Sequence, residues 1–152
     1  MKDSISLSLI KIFELANENH KKNNLDDAIK LYNEVLNINP NHIDAYYNLG
    51  VIMHKLGEYQ KAKKYYEKVI EINPKSKNTH NYLGIMFKEL EDFQNAKKCF
   101  EKAIEIDPNF TDAINNLGII FKELGQYQET INCYEKVIKI DPNFSDTHIN
   151  LG

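Results

Sequence analysis

The chain has 152 residues, of which 42% are hydrophobic and 27% charged, with a formal net charge of −3. That length suits one domain or one short repeat array, no apolar run approaches the ~18 residues needed to cross a bilayer, and the charge gives no overall pull toward nucleic acid or acidic lipid. All nineteen basic residues are lysine, so no planar, bidentate grip on phosphate or carboxylate exists anywhere in the chain.

In chain order, the first stretch, Met1 to Leu15, does not read as a signal peptide, because Ser4, Ser6, Ser8 and Lys11 interrupt its apolar residues. From residue 9 onward a unit of 34 residues recurs. A degenerate first copy carries Ile12, Leu15, Ala16, Ala28, Tyr32 and Pro40. The second has Tyr46, Leu49, Gly50, Met53, Ala62, Tyr66 and Pro74. The third has His80, Leu83, Gly84, Phe87, Ala96, Phe100 and Pro108, and the fourth Ile114, Leu117, Gly118, Phe121, Thr130, Tyr134 and Pro142. A fifth copy begins with His148, Leu151 and Gly152. The boundaries are a leader or cap at 1–8, repeats at 9–42, 43–76, 77–110 and 111–144, and the start of a fifth at 145–152.

Each unit reads as two amphipathic helices. In the second copy the spacing predicts a helix from Ile43 to Leu56 and another from Glu58 to Ile72, with apolar residues at close to the 3.6-residue period. Gly57 and Gly125 fall where the first helix must stop, and the Asn23-Asn24 and Glu91-Asp92 pairs stand there in the other copies, where a more strained or a differently built turn is expected. The Asn or Asp before each Pro favours exit from the second helix. Gly50, Gly84 and Gly118 lie inside helices, where glycine costs roughly 1 kcal/mol against alanine; a close approach of the paired helix is the expected reason. Ala16 fills that place in the first copy, so Gly84→Ala is expected to be mild and Gly84→Leu severe.

The pattern resembles the tetratricopeptide repeat family over residues 9–152. The resemblance implies an all-α fold, a right-handed α-solenoid of stacked antiparallel helix pairs. Its implied function is a protein–protein interaction scaffold that holds a peptide or helix of a partner in a concave groove lined by the first helices. Two other readings stand beside it: the substrate-recognition arm of a larger enzyme, such as a peptide glycosyltransferase, and a structural subunit that stacks with copies of itself. The apolar Ile131, Tyr134, Val137 and Ile138 on the last complete helix call for a following helix, so the chain reads as a fragment whose open C-terminal end supports self-association.

Little chemistry is left over. The repeat positions absorb all six Gly and all four Pro, leaving none for a phosphate-cradling loop or nucleophile elbow. No His-Glu-x-x-His or paired Cys-x-x-Cys occurs; His20 and His54 recur one repeat apart and His80 and His148 two repeats apart, on helices whose neighbours stack roughly 8–10 Å apart. Neither metal nor cofactor is expected, and no catalytic residue. Cys99 and Cys133 also share a repeat position beyond the ~7 Å limit for bridging, and they read as small hydrophobes in a reducing, intracellular and cytoplasmic setting. Lys61, Lys63, Lys64, Lys68, Lys97, Lys98 and Lys102 interleave with Glu67, Glu71, Glu101 and Glu105 and read as a solvated outer face. A nucleic-acid partner is not expected. The paired carboxylates Asp26-Asp27 and Glu91-Asp92 sit at helix starts, where they suit the macrodipole.

The inner face remains. Its candidate residues for partner binding are Phe13 and Asn17; Tyr47, Asn48 and Val51; Asn81, Tyr82 and Ile85; Asn115, Asn116 and Ile119, with Ile10, Glu14, Asp44, Asn78 and Asp112 beside them. Asn48, Asn116 and Asn150 share one repeat position, similar to the asparagine ladder in the repeat arm of the O-linked N-acetylglucosamine transferases, where amides pair with a peptide main chain. Glu14 and Tyr82 interrupt the ladder here. Tetratricopeptide domains that dock acidic chaperone tails use a clamp of Lys, Asn, Asn, Lys and Arg. The matching positions are Phe13, Asn17, Asn48, Asn78 and Tyr82, which keep the two amides and lose every cation. Starting one copy later gives Tyr47, Val51, Tyr82, Asp112 and Asn116, so a heat-shock chaperone tail is disfavoured.

Overall fold

Apolar residues spaced at the helical period must be covered on one side, and here each helix is covered by the next in the chain. A computed structural model describes residues 2–144, with side chains from residue 7 onward. The described residues form eight helices and no strand. They fall into two compact units, Met1–Pro74 and Lys75–Gly152. The first unit contains α1 (Lys2–Lys21), α2 (Leu25–Ile38), α3 (Ile43–Lys55) and α4 (Tyr59–Ile72). The second contains α5 (Lys77–Glu89), α6 (Phe93–Ile106), α7 (Thr111–Glu123) and α8 (Tyr127–Ile140). Within each unit, consecutive helices pack on one another, and in the second α5 also touches α7. The stretch 1–8, expected as a leader, is helical from Lys2 and continuous with α1. The expected fifth-repeat start at 145–152, including His148 and Asn150, lies outside the described residues.

The ends of the helices follow from local chemistry. Gly57 and Gly125 adopt φ of 74° and 73°, and the same left-handed place is filled without glycine by Asn23 at 63° and Glu91 at 58°. Of the two expectations for those turns, more strained or differently built, the backbone keeps the glycine conformation, so they are not differently built. Asn tolerates this region better than Glu does. At the other end, Asn39, Asn73, Asp107 and Asp141 leave the helical region ahead of each Pro. Asn39, Asp107 and Asp141 also accept a hydrogen bond from the backbone N–H two residues on, at 3.0–3.1 Å, the side-chain turn that makes these residues favourable there. His42, Ser76 and Asp92 cap the next helices by accepting from Ala45, Thr79 and Asn95 N–H groups.

Cores form where a small residue and an aromatic on the second helix of each pair meet the first. Ala28 and Tyr32, Ala62 and Tyr66, and Ala96 and Phe100 are all fully buried. In the last pair Thr130 stands in the alanine position, and its buried hydroxyl donates to the carbonyls of Gly118 and Gln126 at 3.3 and 3.1 Å. Each buried aromatic contributes on the order of 2–3 kcal/mol of burial. The helical glycines sit under these rings. A Cβ added to Gly50 would lie 2.7 Å from Tyr66 Cε1, to Gly84 2.6 Å from Phe100 Cε1, and to Gly118 2.7 Å from Tyr134 Cε1. The close approach is as expected, and its partner is a ring edge, which counts against the expectation that Gly84→Ala is mild. Alanine at Gly84 drives into a fully buried ring that has nowhere simple to go.

Candidate functional site

The first helix of each pair leaves one face uncovered by the second, and the polar and aromatic candidates lie there. In the first unit Asn17 Oδ1 accepts from the Tyr32 hydroxyl at 2.7 Å and from Asn48 Nδ2 at 3.2 Å. Burial pushes the Tyr32 hydroxyl up to about 12, so it stays protonated and donates. His20 Nδ1 lies 3.4 Å from the same hydroxyl. Its pKa is lowered by burial first and then by the Lys55 ammonium, so the ring is neutral at pH 7. Asn17 and Asn48 are thus linked across α1 and α3 and anchored to a core tyrosine. Each is half-buried.

Phe13 stacks on His42 with ring centroids 4.6 Å apart and on Tyr32 at 5.9 Å. Tyr47 meets Tyr66 nearly edge-on at 6.0 Å. Both candidate anchors are half-buried with their rings already braced, and Val51 is half-buried beside them. Bracing of this kind lowers the entropy that an aromatic loses on binding.

In the second unit the structure separates the candidates. Tyr82, Ile85, Asn116 and Ile119 are half-buried, whereas Asn81 and Asn115 are only 6% and 7% exposed. These two amides were expected on the open face, and they are instead tucked inward. Asn116 Nδ2 donates to Asn81 Oδ1 at 3.0 Å, which parallels the Asn48–Asn17 bond of the first unit. Asn115 differs: its Oδ1 is buried with no hydrogen-bond partner. Around it opens a pocket of about 270 Å³ lined by Asn81, Tyr82, Ile85, Asp112, Asn115, Asn116 and Phe144. Phe144 was not foreseen. It follows the last helix by four residues, at the repeat position held by Phe110, and that repetition was the available signal.

Residues set aside in the sequence behave as structural groups. Lys63 and Lys97 pair with Glu67 and Glu101, each at 3.8 Å. Lys97 also stands 5.1 Å over the Phe121 ring. Cys133 is half-buried and burial pushes its thiol up to about 11, which disfavours the reactive thiolate at neutral pH. The carboxylate of Asp107 is held below the usual range, chiefly by a hydrogen bond from Lys77. His20 and His54 each contact a tyrosine ring, Tyr32 and Tyr59 respectively. No group of three or more His, Cys, Asp or Glu poised for a metal occurs among the described residues, and no helix there is long and apolar enough to cross a membrane.

Paired helices with a small-residue contact under an aromatic, repeated at one period, define a helical-repeat protein. The TPR repeat signature matches residues 16–57, and the tetratricopeptide repeat signature matches 43–76, 78–110 and 111–144. The chain belongs to the tetratricopeptide repeat family, with an all-α solenoid fold, and it is a protein-interaction scaffold. No curated protein sequence matches it. Among solved structures, one crystal structure of MamA is 26% identical with a TM-score of 0.82, the match covering 86% of this chain and 77% of that one. A second MamA crystal structure is 24% identical with a TM-score of 0.86, covering 96% and 78%. MamA from Desulfovibrio magneticus RS-1, from residue 41 to its end, is 19% identical with a TM-score of 0.82, covering 89% and 76%. These likenesses show the fold.

Proposed function

We propose that each unit binds a segment of a partner protein on its first-helix face, through Phe13, Asn17, Tyr47, Asn48 and Val51 in one and Asn81, Tyr82, Ile85, Asn115, Asn116 and Ile119 in the other. The observation that carries this reading is the α5–α7 pocket, where apolar and aromatic walls converge with several amides. Rigid aromatics supply contact area, and the amides supply donors and acceptors for a peptide main chain. The role is binding and not catalysis, in an intracellular setting that suits two thiols. The outer face does not favour a nucleic-acid partner, because its lysines alternate with glutamates that pair with them, and the inner face does not favour an acidic chaperone tail, because its clamp positions carry no cation.

The test uses a partner captured by affinity pull-down and mapped to a peptide. For a peptide held by the second unit, Tyr82→Ala and Asn116→Ala should each weaken binding by about 1–3 kcal/mol. Lys64→Ala with Lys98→Ala, on the outer face, should change only a salt-dependent on-rate. Loss of binding with the lysine pair and none with the inner-face variants would refute the reading.

A second reading, self-association, is favoured by Tyr127, Ile131 and Ile138, which stand 68%, 47% and 36% exposed along α8. Light scattering over a concentration series checks it: a mass that stays monomeric throughout excludes it.

A further inference from the structure

The unpartnered acceptor of Asn115 points to what the second unit holds. A buried carbonyl oxygen without a donor is costly, and nearly all such groups in folded proteins are matched. Neighbouring amides do not relieve it, since Asn116 donates to Asn81 instead. Asp112 lines the same pocket, is exposed, and has no ion-pair partner among the described residues. The remaining walls are the Tyr82 and Phe144 rings and Ile85, and no lysine or histidine lines the pocket. The chemistry is therefore an orphaned acceptor, a carboxylate, two aromatic rings and an aliphatic side chain, in a volume of about 270 Å³ that suits one long side chain better than a drug-sized molecule.

We propose that this pocket receives a basic side chain of the partner. The aliphatic stem lies along Ile85 and the rings, and the cationic head donates to Asn115 Oδ1 and pairs with Asp112. The first unit does not repeat the site. At the place of Asn115 it carries Tyr47, whose ring packs on Tyr66. This inference rests on the α5–α7 face being an interaction surface and adds to it the chemistry of one subsite.

The test titrates Nα-acetyl-lysine N-methylamide and the corresponding arginine amide into the ¹⁵N-labelled chain, following the side-chain amide signals of Asn115 and Asn116. Nε-acetylated lysine and norleucine amides serve as neutral controls. Either cation should give saturable shifts confined to the pocket, with the neutral probes roughly tenfold weaker or silent. Asp112→Asn and Asn115→Leu should each weaken the cation roughly tenfold. Asn115→Leu should hold or raise Tm, because it removes an unmet acceptor at nearly constant shape. Equal binding of norleucine amide, or no saturable shift with either cation, would overturn the proposal. A mapped partner peptide that needs Tyr82 while no cation perturbs Asn115 would overturn the subsite and leave the interaction face standing.

Discussion

Gly84 of α5 lies beneath the ring of Phe100 of α6, and a Cβ on it would come within 2.6 Å of Cε1 and 2.8 Å of Cζ. The contact explains why a helix interior keeps its least favourable ordinary residue. Replacement by alanine recovers roughly 1 kcal/mol of helix propensity, but overpacking a fixed ring costs typically 1–3 kcal/mol. Gly84→Ala should therefore be destabilising on balance, and Gly84→Leu more so. Denaturant unfolding of Gly84→Ala, Phe100→Leu and the double variant checks the cause. The double variant should be less destabilised than the sum of the singles, and strict additivity would contradict the ring contact.

Glu91 offers the opposite case. It holds φ of 58° on an exposed turn where two other copies have glycine. A non-glycine residue in that region costs about 1–2 kcal/mol, partly offset by the greater freedom glycine brings to the unfolded chain. Glu91→Gly should raise stability by roughly 0.5–1 kcal/mol. Gly125→Ala should lower it by a similar amount, since nothing lies within 4 Å to confuse the backbone effect with packing. A fall in Tm for Glu91→Gly would contradict this account.

Period, pairing and helix ends were legible in the residues. The helix expected from Ile43 to Leu56 is found from Ile43 to Lys55, with Leu56 as its cap. This succeeds because the glycine, proline and Asx positions act locally. Tertiary pairings were harder. Asn81 and Asn115 share a repeat position with Phe13 and Tyr47, both of which pack against rings, so their inward placement was implicit in the register. Composition drew attention to the amides as ligands instead. The Asn17–Tyr32 bond was not legible, because it joins residues 15 apart whose meeting depends on the α1–α2 packing. Ala16 misled in the same way: its tolerance in one copy says little of Gly84, where the paired ring is Phe100 and lacks the hydroxyl that ties Tyr32 to Asn17.

That bond makes Asn17 a structural residue as well as a candidate for binding. Asn17→Ala removes the acceptor at 2.7 Å from a fully buried tyrosine and leaves it the Asn48 side chain and the 3.4 Å contact to His20. The cost should be about 1–3 kcal/mol. Pairing it with Tyr32→Phe should restore part of the loss, because both partners of the bond are then gone. A loss in Asn17→Ala that Tyr32→Phe leaves unchanged would show that the hydroxyl is satisfied elsewhere.

Three acids shielded in part or whole from water give the chain an alkaline limit. Burial raises the Cys133 thiol from 9.0 to about 11 and the Tyr32 phenol from 10.0 to about 12, and it also raises the Tyr134 phenol. A raised pKa means that the folded state holds these protons more tightly than the unfolded chain does. As pH climbs past about 9 the unfolded chain begins to lose its protons first, so stability falls with rising pH until the folded groups also titrate, near 11 and 12. Below pH 9 these groups add no slope. Cys133→Ala should therefore be somewhat less stable than the parent at pH 8, from lost packing, with the difference narrowing by about pH 11. Iodoacetamide should leave Cys133 largely unmodified at neutral pH until the chain unfolds, because little thiolate is present. Rapid alkylation of Cys133 in the folded chain at pH 7, or an unchanged difference between the two proteins across the alkaline range, would contradict the buried, proton-retaining thiol.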